Sequence, residues 1–210
     1  MGTETPSSKG PRQRRAERRA ALIGAAADIF MRDGYGATTL DAVVAAAGGS
    51  KSTIYTLFGG KEGLLEAVVT DLCERLLAPM GEPALRGLAP GEALRQLGCR
   101  FLEGIYEPNA LALQRSAIAE AGRLPRLAAV FWTAGPERSL RAVAGYLETA
   151  QERGQLARHD ARRAAARFLA LLIGETQLAV LLGVRPPPDP AEIDRMVAAA
   201  VRMILPELGA

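Results

Sequence analysis

The sequence predicts an all-α chain, with an N-terminal three-helix unit, a connecting helix and a larger C-terminal helical domain. Three observations carry that prediction. Apolar residues recur at the i, i+3, i+4 spacing of amphipathic helices from Leu22 to Ile204. Pro and Gly punctuate the stretches between them, as at Pro79, Gly81, Pro83, Gly87, Pro90, Pro108, Pro125 and Pro136. No βαβ alternation, Gly-rich phosphate loop or internal repeat interrupts the pattern. With 49% hydrophobic and 23% charged residues over 210 positions, the composition is that of a folded globular chain and excludes wholesale disorder. The expected divisions are a disordered basic tail over residues 1–11, a compact unit over 12–60, a connecting helix over 61–78 and a C-terminal domain over 79–210.

The first helix presents Leu22, Ile23, Ala26, Ile29 and Phe30 inward, and it is approached by Lys9, Arg12, Arg14, Arg15, Arg18 and Arg19 against Glu17 alone. Residues 1–61 hold nine Lys or Arg and five Asp or Glu, a net of +4, whereas residues 62–210 hold 17 against 18, a net of -1. The whole-chain charge of +3 therefore conceals a split, and a local excess of cations suits a phosphate backbone.

Two short helices come next. Thr38 with Asp41 three residues on reads as a capping box for a helix from Thr39 to Ala47, whose inner face is Leu40, Val43, Val44 and Ala47. Gly48 ends it, because glycine takes left-handed backbone without steric cost, and Ser50 offers the next N-cap hydroxyl. The second helix, Lys51 to Phe58, turns Ile54, Leu57 and Phe58 inward; Ser52, Tyr55 and Thr56 face away, with Lys51 and Thr53 at its start and flank. Two short helices about a glycine turn, the second with a hydrogen-bonding outer face, form a helix-turn-helix of the kind that enters a DNA major groove.

The joint pattern Gly48, Ser50, Lys51, Thr53, Ile54, Tyr55, Phe58, followed by Lys61, Glu62 and Leu64, resembles the recognition segment of the TetR family of bacterial transcriptional regulators. By motif the resemblance covers residues 15–70. The chain departs from the pattern at Gly49, where the family commonly has a small branched apolar residue that seats the turn. The resemblance implies that Lys51, Ser52, Thr53, Tyr55 and Thr56 lie at the groove, and that Thr38, Thr39 and Lys61 are aimed at phosphates. It also implies a palindromic double-stranded operator, a homodimer and a C-terminal domain that binds a small-molecule effector and dimerises.

The connecting helix carries Leu64, Leu65, Val68, Leu72 and Leu76. Leu94, Leu97, Phe101, Leu102 and Ile105 define the next helix, Leu113, Ala117, Ile118 and Ala121 the one after, and Leu127, Val130, Phe131 and Trp132 a short piece before Gly135. Leu140, Val143, Ala144 and Leu147 mark a longer helix from Pro136 to about Arg153. From Phe168 to Leu182 the chain is apolar all round, so that helix has to be covered on more than one side. One cover is the subunit's own core. A second copy of the chain is the simplest other, with a candidate interface of Leu178, Leu181, Leu182, Met196, Val197 and Val201; packing of both stripes inside one subunit is the alternative.

Phe101, Tyr106, Phe131, Trp132, Tyr146 and Phe168 gather most of the aromatics in the C-terminal domain. Such side chains at helical spacing are core residues or the walls of a pocket for an apolar or amphipathic ligand, with Arg115, Glu120, Glu175 and Gln177 as candidate polar anchors. Glu175 has a second reading, a salt bridge to an arginine. The single histidine, His159, sits beside Asp160 as a surface or capping residue, and no nucleophile motif accompanies it. Enzyme chemistry, a cofactor and a metal site are therefore not expected. Cys73 and Cys99 are too few and too far apart for zinc and read as free thiols of a reducing cytoplasm. The start lacks an apolar signal segment, and Glu175, Thr176 and Gln177 break the longest apolar run, so neither export nor a membrane partner is expected.

The reading is a homodimeric, sequence-specific DNA-binding regulator, a repressor released by a small ligand. The alternative is a helical binding or scaffold protein with a vestigial helix-turn-helix and no operator.

Overall fold

The structure is a computed structural model, and it describes residues 10–78, 85 and 87–209. The tail expected over residues 1–11 lies outside the described residues up to position 9, as does most of the break between Pro79 and Pro90. The described residues contain ten α-helices and no strand: α1 Pro11–Ala37, α2 Leu40–Ala47, α3 Lys51–Phe58, α4 Lys61–Leu77, α5 Pro90–Tyr106, α6 Pro108–Glu120, α7 Pro125–Ala134, α8 Pro136–Glu152, α9 Ala161–Leu181 and α10 Pro190–Ile204. A 3-10 turn, Leu205–Leu208, closes the order.

The chain divides into two compact units, Met1–Asp71 and Leu72–Ala210. The boundary falls inside α4, so the helix expected to be a connector gives its first part to one unit and its last turns to the other.

In the first unit, Leu22, Ala26 and Phe30 of α1, Val43 of α2, Ile54 of α3 and Leu64 of α4 are fully or almost fully buried. Each large apolar side chain removed from water contributes about 1.5–3 kcal/mol, which is what holds two eight-residue helices that could not persist alone. Helix α1 begins with Pro at its first turn, where the missing N–H costs nothing, and it takes in Arg12, Arg14 and Arg15 as helical residues. Its backbone leaves helical geometry at Gly34, with φ 77°.

The sequence placed the cap of α2 one residue early. Thr39, not Thr38, is the N-cap, its hydroxyl accepting from the Ala42 amide at 3.2 Å. Thr38 is instead the C-cap of α1, buried, and its hydroxyl donates to the Gly34 carbonyl at 2.8 Å. The reason is local: the carbonyl exposed where α1 breaks at Gly34 needs a donor, and Thr38 is the residue four positions on.

The second unit packs α5, α8, α9 and α10 about one core that includes Leu94, Leu97, Leu102, Val143, Leu147, Phe168, Leu172 and Val197. Val197 reaches this core over Gly98, where an added Cβ would come within 2.8 Å of its Cγ1. Asp160 caps α9 by accepting from the Arg163 amide at 2.9 Å. His159 is not the cap: Gln151 donates to both its Nδ1, at 2.9 Å, and its carbonyl, at 3.1 Å. Helix α9 has the length and hydropathy of a membrane span, but Ala161, Ala164, Ala165, Phe168, Leu172 and Val180 are buried in this core. It is broken at Gly174, where φ 41° and ψ −146° are accessible in practice only to glycine.

Candidate nucleic-acid interface and ligand cavity

Helix α3 is built to be held from beneath. Ser50, its N-cap, accepts from the Thr53 amide at 3.3 Å, and the Ser50 and Thr53 hydroxyls lie 3.1 Å apart. At its far end the left-handed Gly59 returns its amide to the Tyr55 carbonyl. Ile54 faces the core, and the opposite side carries Lys51, Ser52, Tyr55 and Thr56, all exposed, with Tyr55 58% exposed. Thr53 is half-buried. The Thr56 hydroxyl donates to the Ser52 carbonyl at 2.9 Å, which leaves its oxygen free to accept.

The turn between α2 and α3 explains the glycine at position 49. Both Gly48 and Gly49 have positive φ, 73° and 98°, which a branched residue would resist. Arg18 of α1 takes the place of an apolar seat: its Nη1 donates to the Ala47 carbonyl at 3.2 Å, and its guanidinium would lie 3.6 Å from a Cβ at either glycine. The turn is fastened by a cation rather than by a hydrophobic side chain. A second cation, Arg19, sits 5.5 Å from the Phe58 ring centroid and ties α1 to α3.

Lys51 pairs with Asp41 at 2.9 Å, and both side chains are more than half exposed. An ion pair so wetted contributes little, so Lys51 can exchange a carboxylate for another anion at small cost. Lys61 is steered by the Tyr35 ring, 4.3 Å from its Nζ, and by the Gly36 carbonyl at 3.5 Å. Thr39 is exposed at the start of α2. Thr38 is removed from this group, because its hydroxyl is buried and committed to Gly34.

The second unit holds a half-open cavity of about 460 Å³, in the range of small-molecule sites, with Trp132 and Ile118 exposed at its edge. Of the expected pocket residues, Phe101, Phe131, Trp132 and Gln177 line it. Tyr106, Tyr146 and Phe168 do not. They are buried in the core, and burial raises the pKa of both phenols. Arg115 is also displaced from the expectation: its Nε and Nη2 donate to the Leu181 and Val180 carbonyls at 2.9 and 2.8 Å, satisfying the open end of α9. Glu175 is exposed, and Glu120 pairs with Arg123 at 3.7 Å.

The sequence reading missed Gln114, a buried polar side chain of the cavity with long-range partners. It donates to the Ile105 carbonyl at 2.9 Å and accepts from Gln177. Its signal was a glutamine on the inward face of α6, between Leu113 and Ala117. Ser139 and Cys73 complete the polar part of the lining, and burial pushes the Cys73 thiol up to about 11.

The six residues expected at an interface separate into two groups. Leu178 and Leu182 are 62% and 69% exposed. Val197 is 0% exposed and belongs to the subunit core, while Leu181, Met196 and Val201 are half-buried against it. Of these α10 positions, Val197 alone is fully enclosed by its own subunit and so cannot meet a partner. Besides Leu178 and Leu182, the exposed apolar surface includes Leu171, Val184 and Met203.

Residues 22–68 match the family of bacterial regulatory proteins named for TetR, and residues 92–207 match the AefR-like transcriptional repressor C-terminal domain. No curated protein sequence matches. Among solved structures, the flavonoid-responsive regulator FrrA is 33% identical over 91% of this chain and 97% of its own, with a TM-score of 0.77. A TetR-family regulator from Mesorhizobium loti is 26% identical over 94% and 99% of the two chains, with a TM-score of 0.82. A TetR regulator from Agrobacterium tumefaciens is 27% identical over 92% and 95%, with a TM-score of 0.74. With an eight-residue helix presented outward on a helix-turn-helix, and both units matched, the chain belongs to the TetR family of DNA-binding transcriptional regulators.

Proposed function

We propose that this regulator is a homodimeric repressor that binds a palindromic operator and leaves it when a small apolar or amphipathic molecule enters the cavity. The observation that carries the reading is α3, whose outer face gathers Lys51, Ser52, Tyr55 and Thr56 on a helix anchored by Ile54. In this reading these residues and Thr53 meet the groove, while Thr39 and Lys61 meet phosphates. The similarity of the second unit to AefR-like repressors supports the sign of the regulation. The responsiveness to flavonoids in the name of FrrA supports a ligand in the second unit.

One α3 reads only a few base pairs, so two copies on a twofold are needed for an operator of useful specificity. Leu171 and Leu178 of α9, with Leu182 just past its end, are the exposed apolar surface that a partner copy would cover. The ligand acts by preferring the conformation that does not bind DNA; a tenfold loss of operator affinity requires about 1.4 kcal/mol of such preference.

Selection of bound fragments from a genomic library by the purified full-length protein tests the reading. Enriched fragments are expected to share an inverted repeat with half-sites roughly 34 Å apart or somewhat more. Weak binding without a shared sequence would instead identify a helical binding protein whose helix-turn-helix no longer reads DNA.

A further inference from the structure

We infer that the cavity takes uncharged aromatic molecules bearing a hydroxyl group, and that the Gln177 side-chain oxygen accepts that hydroxyl's hydrogen bond. The inference deepens the effector reading above and rests on it.

The charge of the ligand is set by the walls. Among the described residues, no Asp, Glu, Lys, Arg or His lines the cavity. The ionisable side chain that does line it, Cys73, is held in its neutral thiol form by burial. An ion brought into this half-open cavity would lose part of its hydration with nothing of opposite sign on the walls to replace it. The aromatic class is set by Phe101 on α5 and by Phe131 and Trp132 on α7, beside the aliphatic Ile105, Leu113 and Ile173. Flat rings fill such walls with favourable offset and edge contacts.

The hydroxyl is called for by the direction of a hydrogen-bond chain. The Ile105 carbonyl can only accept, so Gln114 must turn its amide nitrogen toward it, and it does so at 2.9 Å. The Gln114 oxygen then faces Gln177, which must answer with its own nitrogen. This fixes the Gln177 oxygen as the end of the chain, an acceptor without a protein donor among the described residues. Ser139 repeats the polarity: its hydroxyl donates to the Gly135 carbonyl at 3.1 Å, leaving lone pairs and no proton for a guest. The cavity is thus rich in acceptors. A ligand ether or ketone can use only a spare amide N–H, the second of Gln177 or of Gln114, whereas a hydroxyl can both accept from such an N–H and donate to the Gln177 oxygen.

Three probes of one shape test this with full-length protein and no DNA: para-phenylphenol, its methyl ether, and biphenyl carboxylate. Binding is read by calorimetry and by fluorescence of Trp132, the single tryptophan. The phenol is expected to bind about tenfold more tightly than the ether, the worth of one more hydrogen bond to the half-buried Gln177, and the carboxylate at least tenfold more weakly than the ether. Gln177→Met should bring the phenol to the level of the ether and leave the ether within about twofold. The ranking of the three probes on the unaltered protein stands whether or not that variant folds.

Equal binding of phenol and ether, tighter binding of the carboxylate, or binding of none of the three overturns the inference. Adding the operator separates the two claims. A hydroxyl preference with no effect of the phenol on DNA binding leaves the inference standing and sinks the effector reading. Release of operator by other compounds, with no hydroxyl preference among the probes, does the reverse.

Discussion

Helices α3 and α9 are both begun by a side-chain cap, Ser50 in one and Asp160 in the other, and both leave one face out of their unit's core. What they leave out differs. The outer face of α3 is Lys51, Ser52, Tyr55 and Thr56, groups that bind well to a partner that stays hydrated and charged. The outer side of α9 carries Arg162, Arg163 and Arg167 in its first half, then Leu171 and Leu178, with Leu182 just past its end, and these leucines gain only when a partner excludes water. An eight-residue helix with a polar outer face rests entirely on its inner contacts, so α3 depends on Ile54. A 21-residue helix with a buried apolar face and exposed leucines toward its C-terminal end can serve its own core and a second surface at once.

The largest effect expected from this contrast separates two apolar positions that look alike in sequence. Val197→Glu should unfold the second unit, because a charge buried without a partner costs on the order of 3–5 kcal/mol. Leu182→Glu should leave the fold intact, as seen by circular dichroism, and produce a monomer in sedimentation whose operator affinity is lower by about a hundredfold or more. A Leu182→Glu protein of dimeric mass would place the interface elsewhere.

Next in size is the outer face of α3. Replacing Lys51 and Thr56 by Ala together with Tyr55 by Phe should lower operator affinity by about a hundredfold while melting within a few degrees of the parent. Operator affinity and sequence choice that survive the triple change would mean that another surface reads the DNA.

A finer test takes Lys51→Ala alone. If Lys51 meets a phosphate, the slope of log affinity against log salt should fall by about one, with base preference unchanged. The smallest effect compares the caps: Ser50→Ala and Asp160→Ala should each cost about 1 kcal/mol of stability, and only the first should also weaken DNA binding. Thermal melts and a fluorescence anisotropy titration measure both.

These positions also show how far residue patterns alone reach toward the fold. The bounds of α3 are set by Ser50, Gly59 and the apolar spacing between them, all within ten residues, so local chemistry decides them. Thr38 and Thr39 could not be told apart, because the choice turned on the break of α1 at Gly34. Gly49 could be read only as a departure, since its supporting Arg18 lies in another helix. In the second unit, the helices were legible but their rotation was not. Tyr106, Tyr146, Phe168 and Val197 share the spacing of Phe101 and Leu182, and which of them meets the core, a cavity or solvent is fixed by helices distant in sequence. Gln114 was legible only as a glutamine on an apolar face; its role was not, because its partners are nine and 63 residues away.

The break at Gly174 has a mechanical consequence. Seven residues beyond it, Leu181 ends α9, a lever of about 10 Å at 1.5 Å per residue, so a turn of about 10° at the break would carry that end by roughly 2 Å. The lever bears Gln177 on the cavity side and Leu178 on the exposed side, and Arg115 grips its tip through the last two carbonyls. A displacement at one side of this short arm is therefore a displacement at the other, because an intact helical turn between neighbouring residues has no slack in which to absorb it.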